Sequence, residues 1–211
     1  MGSELEQPEG KVWKLAEGAV VVYLVRHGRT PLNAEGVLRG RLDPPLDDAG
    51  RAEAAVLGDL FVGVPLAAIV SSPLSRARET AEPIVATTGA PLDIDPALSD
   101  RDYGQWAGTR QDEVEGRFGS LDAAPGVEPA EAFAARVANA LNRLADRWEP
   151  GPIAVVAHEA VNRYALARLV PGLGAPEDIR QRTGCWNRLE RASGSWRAPI
   201  VDGIPGDGHR P

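Results

Sequence analysis

The sequence predicts an α/β chain, a three-layer α/β/α sandwich around a mostly parallel central sheet. Three observations carry that expectation. The runs Val20-Val21-Val22-Tyr23-Leu24-Val25 and Ile153-Ala154-Val155-Val156-Ala157 have the near-continuous apolar character of strands covered on both faces. Between such runs lie segments whose apolar residues recur at helical spacing. Gly and Pro clusters mark each change of pattern, and strands that alternate with helices build parallel sheets.

The first strand is expected over 19–25, followed by a Gly/Asn/Pro-rich loop over 28–46 that is too long to be a mere connector. Asp47 and Asp48 supply negative charge at a helix start, and Leu46, Ala49, Val56, Leu57 and Leu60 place a core-facing helix through about 61. A second strand follows at 66–70. Ser71-Ser72-Pro73 sits where the next helix should begin, and that helix runs to about 88, where Gly89 stops it. A short third strand is expected at 91–95. Residues 99–127, rich in Asp, Gly and Arg, read as loop with one helical turn near 110–118. Phe133, Val137, Leu141, Leu144 and Trp148 share a face of a long helix over 128–148, ended by Pro150-Gly151-Pro152. A strand at 153–157, a helix at 160–170 and a closing hairpin of 184–191 with 196–201 around Ser193-Gly194 complete the chain.

At 211 residues the chain suits one core, with no linker separating halves of contrasting composition. The domain is placed at 17–202, between a loose polar arm at 1–16 and a Gly/Pro-rich tail at 203–211. Apolar residues make up 43%, and no run approaches the roughly 20 needed to span a bilayer, so no membrane partner is expected. The opening residues are acidic and lack an apolar signal segment, which points to a cytoplasmic location. A net charge of -7 argues against nucleic acid as a partner. The single cysteine, Cys185, and three scattered histidines exclude a cysteine-rich zinc site, and Cys185 reads as a small buried hydrophobe. Both lysines, Lys11 and Lys14, precede the first strand, so cations in the core are arginines, whose fixed fork suits phosphate.

Two of the three histidines, His27 and His158, stand where an apolar run stops, and ligand sites in such sheets lie beyond the carboxyl ends of the strands. His209 falls in the tail and is set aside. Arg26-His27-Gly28 with Thr30 and Asn33 gathers a cation, an imidazole and two hydrogen-bonding side chains near one strand end. That set suits phosphoryl transfer, in which an imidazole attacks phosphorus while arginines and backbone amides hold the oxygens.

At these residues the chain resembles the histidine phosphatase superfamily, which includes phosphoglycerate mutases and related phosphatases. The match comprises Leu24-Val25-Arg26-His27-Gly28-Arg29-Thr30 with Asn33, then Gly40 and Asp43-Pro44-Pro45-Leu46 with Gly50. Ser71-Ser72-Pro73-Leu74-Ser75-Arg76-Ala77-Arg78-Glu79-Thr80, Gly104-Gln105-Trp106-Ala107-Gly108 and Val155-Val156-Ala157-His158 follow in the family's order. The resemblance implies a phosphoglycerate mutase-like fold. It also implies His27 as a nucleophile that becomes phosphorylated, with Arg26, Arg76 and His158 forming the phosphate pocket and Thr30 and Asn33 as supporting contacts. The reaction it implies uses neither cofactor nor metal, and its partner is a small-molecule phosphate ester.

A proton for the departing oxygen calls for a carboxylic acid opposite the nucleophile. Where the family has glutamate, this chain has Asp100, shorter by one methylene or roughly 1.5 Å of reach. Asp102 is the rival carboxylate, and Asp100 is preferred because it holds the family's position. Two further departures stand out. Val37 and Arg39 differ from the family's pattern between Gly36 and Gly40, which leaves Arg39 as either a relocated substrate contact or a surface arginine. Glu159 replaces a glycine common after the second histidine and reads as a helix-dipole partner.

The expected activity is that of a phosphomonoesterase, histidine acid phosphatase-like, with Asp100 as general acid and base. The alternatives are phosphoglycerate mutase-type transfer to a bound sugar acid, which the resemblance disfavours because the family's mutases typically carry a longer insertion between the acid and the second histidine than this chain has from Asp100 to His158, and a non-catalytic phosphate-binding domain. A homo-oligomer is left open, and specificity is expected to lie on residues 33–44 and 99–127.

Overall fold

A computed structural model describes residues 19–149 and 151–211, so the arm expected at 1–16 lies outside the described residues. The elements run β1 (Val20–Arg26), α1 (Pro31–Ala34), α2 (Asp48–Leu60), β2 (Ala68–Ser71), α3 (Ser75–Thr88), β3 (Leu92–Ile94), α4 (Gln111–Phe118), α5 (Ala130–Arg147), β4 (Ile153–Ala157), α6 (Glu159–Leu169), β5 (Trp186–Ala192) and β6 (Ser195–Gly203). The six strands form one sheet in the order β3-β2-β4-β1-β5-β6. β3, β2, β4 and β1 are mutually parallel, and β5 and β6 add an antiparallel edge.

Every residue of β1 is buried, because its two faces meet different helix layers. Val20, Val22 and Leu24 pack with Phe133, Val137, Leu141 and Leu144 of α5 and Val161 and Leu166 of α6. Val21, Tyr23 and Val25 face the other way, onto Leu57 of α2, Phe61 and Ala77, Ala81 and Ile84 of α3. The expected three-layer sandwich is the observed one. The hairpin joining β5 to β6 turns on Ser193 and Gly194, both at positive φ, which suits a tight two-residue turn.

Four features differ from the sequence expectation. A single turn, α1, interrupts the long loop after β1, and α4 has two turns where one was expected. The third is a separate small cluster of Leu38, Val114, Ala124 and Val127, packed by Tyr103, Trp106, Phe118 and Leu121. It gives the loop-rich segment a core of its own. β6 extends through Gly203, one residue into the expected tail.

The loop after β1 is fixed to α2 by contact between backbones. A Cβ on Gly50 would lie 2.0 Å from the Arg29 carbonyl oxygen, and one on Gly28 would lie 2.5 Å from that of Gly50. Asp47 caps α2 by accepting from the Gly50 amide at 2.8 Å and also accepts from Arg29 Nε at 2.8 Å. The backbone beside His27 is thereby held from below.

Candidate active site

Strand register brings the two histidines together. Arg26 of β1 pairs with Ala157 of β4, so the next residue on each strand, His27 and His158, leaves the sheet at the same level. The His27 amide continues the ladder to the Ala157 carbonyl at 3.0 Å, and the Ser72 amide at the end of β2 does the same to Val156 at 3.0 Å. The imidazole centroids lie 5.2 Å apart, and both side chains are fully buried.

Hydrogen bonds fix the two rings in different ways. His27 Nδ1 lies 2.6 Å from the Gly28 carbonyl oxygen, which can only accept, so the proton sits on Nδ1 and Nε2 carries the lone pair. Arg76 Nε donates to that Nε2 at 3.3 Å. For His158, Nε2 lies 2.8 Å from Ser72 Oγ, which already accepts from the Leu74 amide at 3.3 Å. A lone pair on Nδ1 would face the Asp100 carboxylate, whose Oδ2 lies 4.0 Å away, so the proton sits on Nδ1 and the Ser72 hydroxyl donates to Nε2. Burial, then the positive charge of Arg76, holds both imidazoles well below the ordinary histidine range. Both are therefore neutral near pH 7.

Arg76 is wholly buried at the start of α3 and ties the site to its surroundings. It donates to the carbonyls of Leu42 at 2.7 Å and Gly40 at 3.1 Å, and to Asp100 Oδ2 at 3.2 Å. Asp100 is itself buried, and its other oxygen accepts from the Arg101 amide at 3.0 Å. Arg26 donates to the Gln181 carbonyl and pairs with Glu159 at 2.8 Å. Burial pulls the pKa values of Arg26 and Arg76 down, while Glu159 and Asp100 respectively push them back up. Arg26 Nε, Arg39 Nε and His158 Nδ1 are buried donors with no partner among the described residues. Each such group costs on the order of 1–3 kcal/mol until an acceptor arrives, and an anion with several oxygens is the economical acceptor for all three.

The family model described as histidine phosphatase superfamily (branch 1) matches residues 22–201. The chain belongs to this superfamily. It is 29% identical over 176 residues to the uncharacterized phosphatase PhoE of Bacillus subtilis strain 168, covering 83% of this chain and 91% of that one. It is 29% identical over 183 residues to the adenosylcobalamin/alpha-ribazole phosphatase of Escherichia coli K12, covering 80% and 89%. Among solved structures, a putative alpha-ribazole-5'-P phosphatase from Escherichia coli superposes with a TM-score of 0.78 at 26% identity, covering 87% of this chain and 96% of that one.

The remaining candidates fall into distinct places. Asn33 Oδ1 accepts from both the backbone amide (2.9 Å) and the hydroxyl (2.8 Å) of Thr30, so Asn33 offers its amide N–H groups to the cleft. Thr30 is buried and reaches outward only through Asn33. Asp102 lies apart from the imidazoles in a local turn, accepting from the Gly104 amide at 2.8 Å. Arg39 is not a free surface arginine. It lines the cleft, 3.8 Å from Glu159 Oε2.

The sequence reading did not assign Ser72 any role, and it understated Glu159. Glu159 pairs with Arg26 and Arg39 through one oxygen and with Arg163 at 2.8 Å through the other. Only the Arg163 pair, at i,i+4, is readable from sequence spacing. Among the described residues no group of three or more His, Cys, Asp and Glu side chains converges to hold a metal ion. A cleft of about 540 Å³ opens over Arg26, Arg39 and Asp100, walled by residues 36–39, 100–122 and 159–177. No helix among the described residues is long and apolar enough to cross a membrane.

Proposed function

We propose that the protein hydrolyses small phosphate monoesters through a phosphohistidine formed on His27. The observation that carries this reading is the fixed tautomer of His27, a neutral buried imidazole whose Nε2 lone pair faces a guanidinium. Nε2 attacks phosphorus, the N–P bond forms and the ester P–O bond breaks. Arg26, Arg76 and the His158 Nδ1–H hold the three equatorial oxygens, where the negative charge lies. Asp100 gives its proton to the departing alkoxide. A water molecule then attacks the phosphohistidine, its proton passes to Asp100, and the N–P bond breaks to release inorganic phosphate.

Asp100 supports this role by position. It is the carboxylate in contact with Arg76 and nearest the His158 Nδ1, whereas Asp102 is occupied by its turn. His27→Ala tests the reading: turnover of p-nitrophenyl phosphate should be lost, and acid-labile phosphate should be trapped on the wild-type protein but not on the variant. Near-full activity in the variant, or no trapped phosphate in the wild type under rapid quench, sinks it.

A further inference from the structure

The phosphate floor and the walls of the cleft carry opposite charge. Around the floor, the guanidinium groups of Arg26, Arg39, Arg76 and Arg163 face the carboxylates of Asp100 and Glu159, an excess of two positive charges. Whichever protonation state Asp100 takes, that excess favours the phosphoryl group of an ester. Farther out, Arg101 is tied to Asp122 and donates to the Glu128 carbonyl at 2.9 Å, so its charge is compensated in the wall. Glu115 and Glu177 also line the cleft, and neither has a cation within 4.0 Å among the described residues. Among the described residues Glu115 is held only by the neutral amide of Gln111 at 2.8 Å. Beyond the phosphoryl group, a substrate therefore meets net negative charge together with the rings of Tyr103 and Tyr164.

We propose that Glu159, with Glu115 and Glu177, is a specificity determinant that selects phosphate esters of uncharged, ring-bearing polyols, of the sugar or nucleoside class, and rejects esters whose alcohol carries a second anion. The proposal rests on the phosphatase reading above. Glu159 is the central element because its carboxylate already occupies the Arg26, Arg39 and Arg163 forks on the cleft side. A carboxylate on the substrate would have to displace it or lie beside it, and like charges in a partly water-excluded cleft repel. An uncharged alcohol meets no such opposition, and its hydroxyls find acceptors on the same carboxylates while its ring packs on the tyrosines.

The test compares kcat/KM for ribose 5-phosphate and for 3-phosphoglycerate on the full chain, with p-nitrophenyl phosphate as a generic ester. The wild type should prefer ribose 5-phosphate by at least about tenfold, a preference that shrinks as salt is added. Glu159→Gln keeps the side-chain shape and should move the ratio toward 3-phosphoglycerate by about tenfold, chiefly through KM. Because Glu159 touches Arg26, the double variant Glu115→Gln/Glu177→Gln serves as a second probe remote from the floor and should move the ratio the same way. Equal handling of the two esters by the wild type, or an unchanged ratio in both variants, overturns the proposal while leaving the phosphatase reading intact. Failure to hydrolyse p-nitrophenyl phosphate removes both.

Discussion

Lowering the pH should destabilise this protein through its own candidate active site. His27 and His158 are neutral in the native state because burial and the nearby guanidinium groups push both well below 6.5, whereas in the unfolded chain each regains an ordinary histidine value. Below the unfolded value the unfolded state binds more protons, so stability is full above about pH 7 and declines as pH falls toward the depressed native values. Between about pH 7.5 and about pH 5.5 one such histidine costs roughly 1.4 kcal/mol, and the pair about 2.7 kcal/mol. That is a substantial share of the roughly 5–15 kcal/mol by which domains are stable. The interval lies above the carboxylate range, so ion pairs contribute little to it. Urea unfolding followed by tryptophan fluorescence at the two pH values gives the loss directly. The double variant His27→Asn/His158→Gln should remove most of it, and either single variant about half. A wild type whose stability does not change over this interval, or a double variant that loses as much as the wild type, would refute the argument that both rings are held neutral.

Other consequences of the geometry can be measured separately. Asp100→Asn should lower kcat/KM for an alkyl phosphate about 10²–10⁴-fold but affect kcat/KM for p-nitrophenyl phosphate much less, because that leaving group departs without a proton; Asp102→Asn should leave the leaving-group dependence unchanged. Ser72→Ala removes the bond that fixes the His158 tautomer and should reduce kcat/KM about tenfold while Ser72→Thr retains most of it, as steady-state kinetics will show. Gly50→Ala forces a methyl group against the Arg29 carbonyl and should destabilise the fold by about 1–3 kcal/mol or more in urea titration, with kcat falling as the loop bearing His27 shifts.

How far the sequence discloses this molecule depends on how strongly each segment is buried. β1 and β4 are legible because both faces are covered, and α5 because eight of its residues are buried along one side. α4 buries Val114 alone, so its periodicity is faint, and its second turn depends on a local cluster assembled from Leu38 and residues beyond 120. The same limit governs the site. His27 and His158 announce themselves at strand ends. Ser72 becomes meaningful only once the pairing of β2 with β4 places its hydroxyl at a ring nitrogen. Glu159 meets Arg26 and Arg39 as well as Arg163 one turn along its own helix, and no spacing rule encodes the first two. The preference for Asp100 over Asp102 came from position within a motif; in the fold Asp100 lies against the Arg76 guanidinium and Asp102 closes a turn.

The small cluster around Leu38 and Val114 gives the cleft wall a foundation separate from the two cores that hold the sheet. The floor residues, by contrast, sit on or just beyond the ends of β1, β2 and β4 and cannot shift without disturbing the centre of the molecule. A change within 103–127 therefore strains only this small cluster and the cleft wall it carries, while a change at those strand ends reaches the cores on both faces of the sheet.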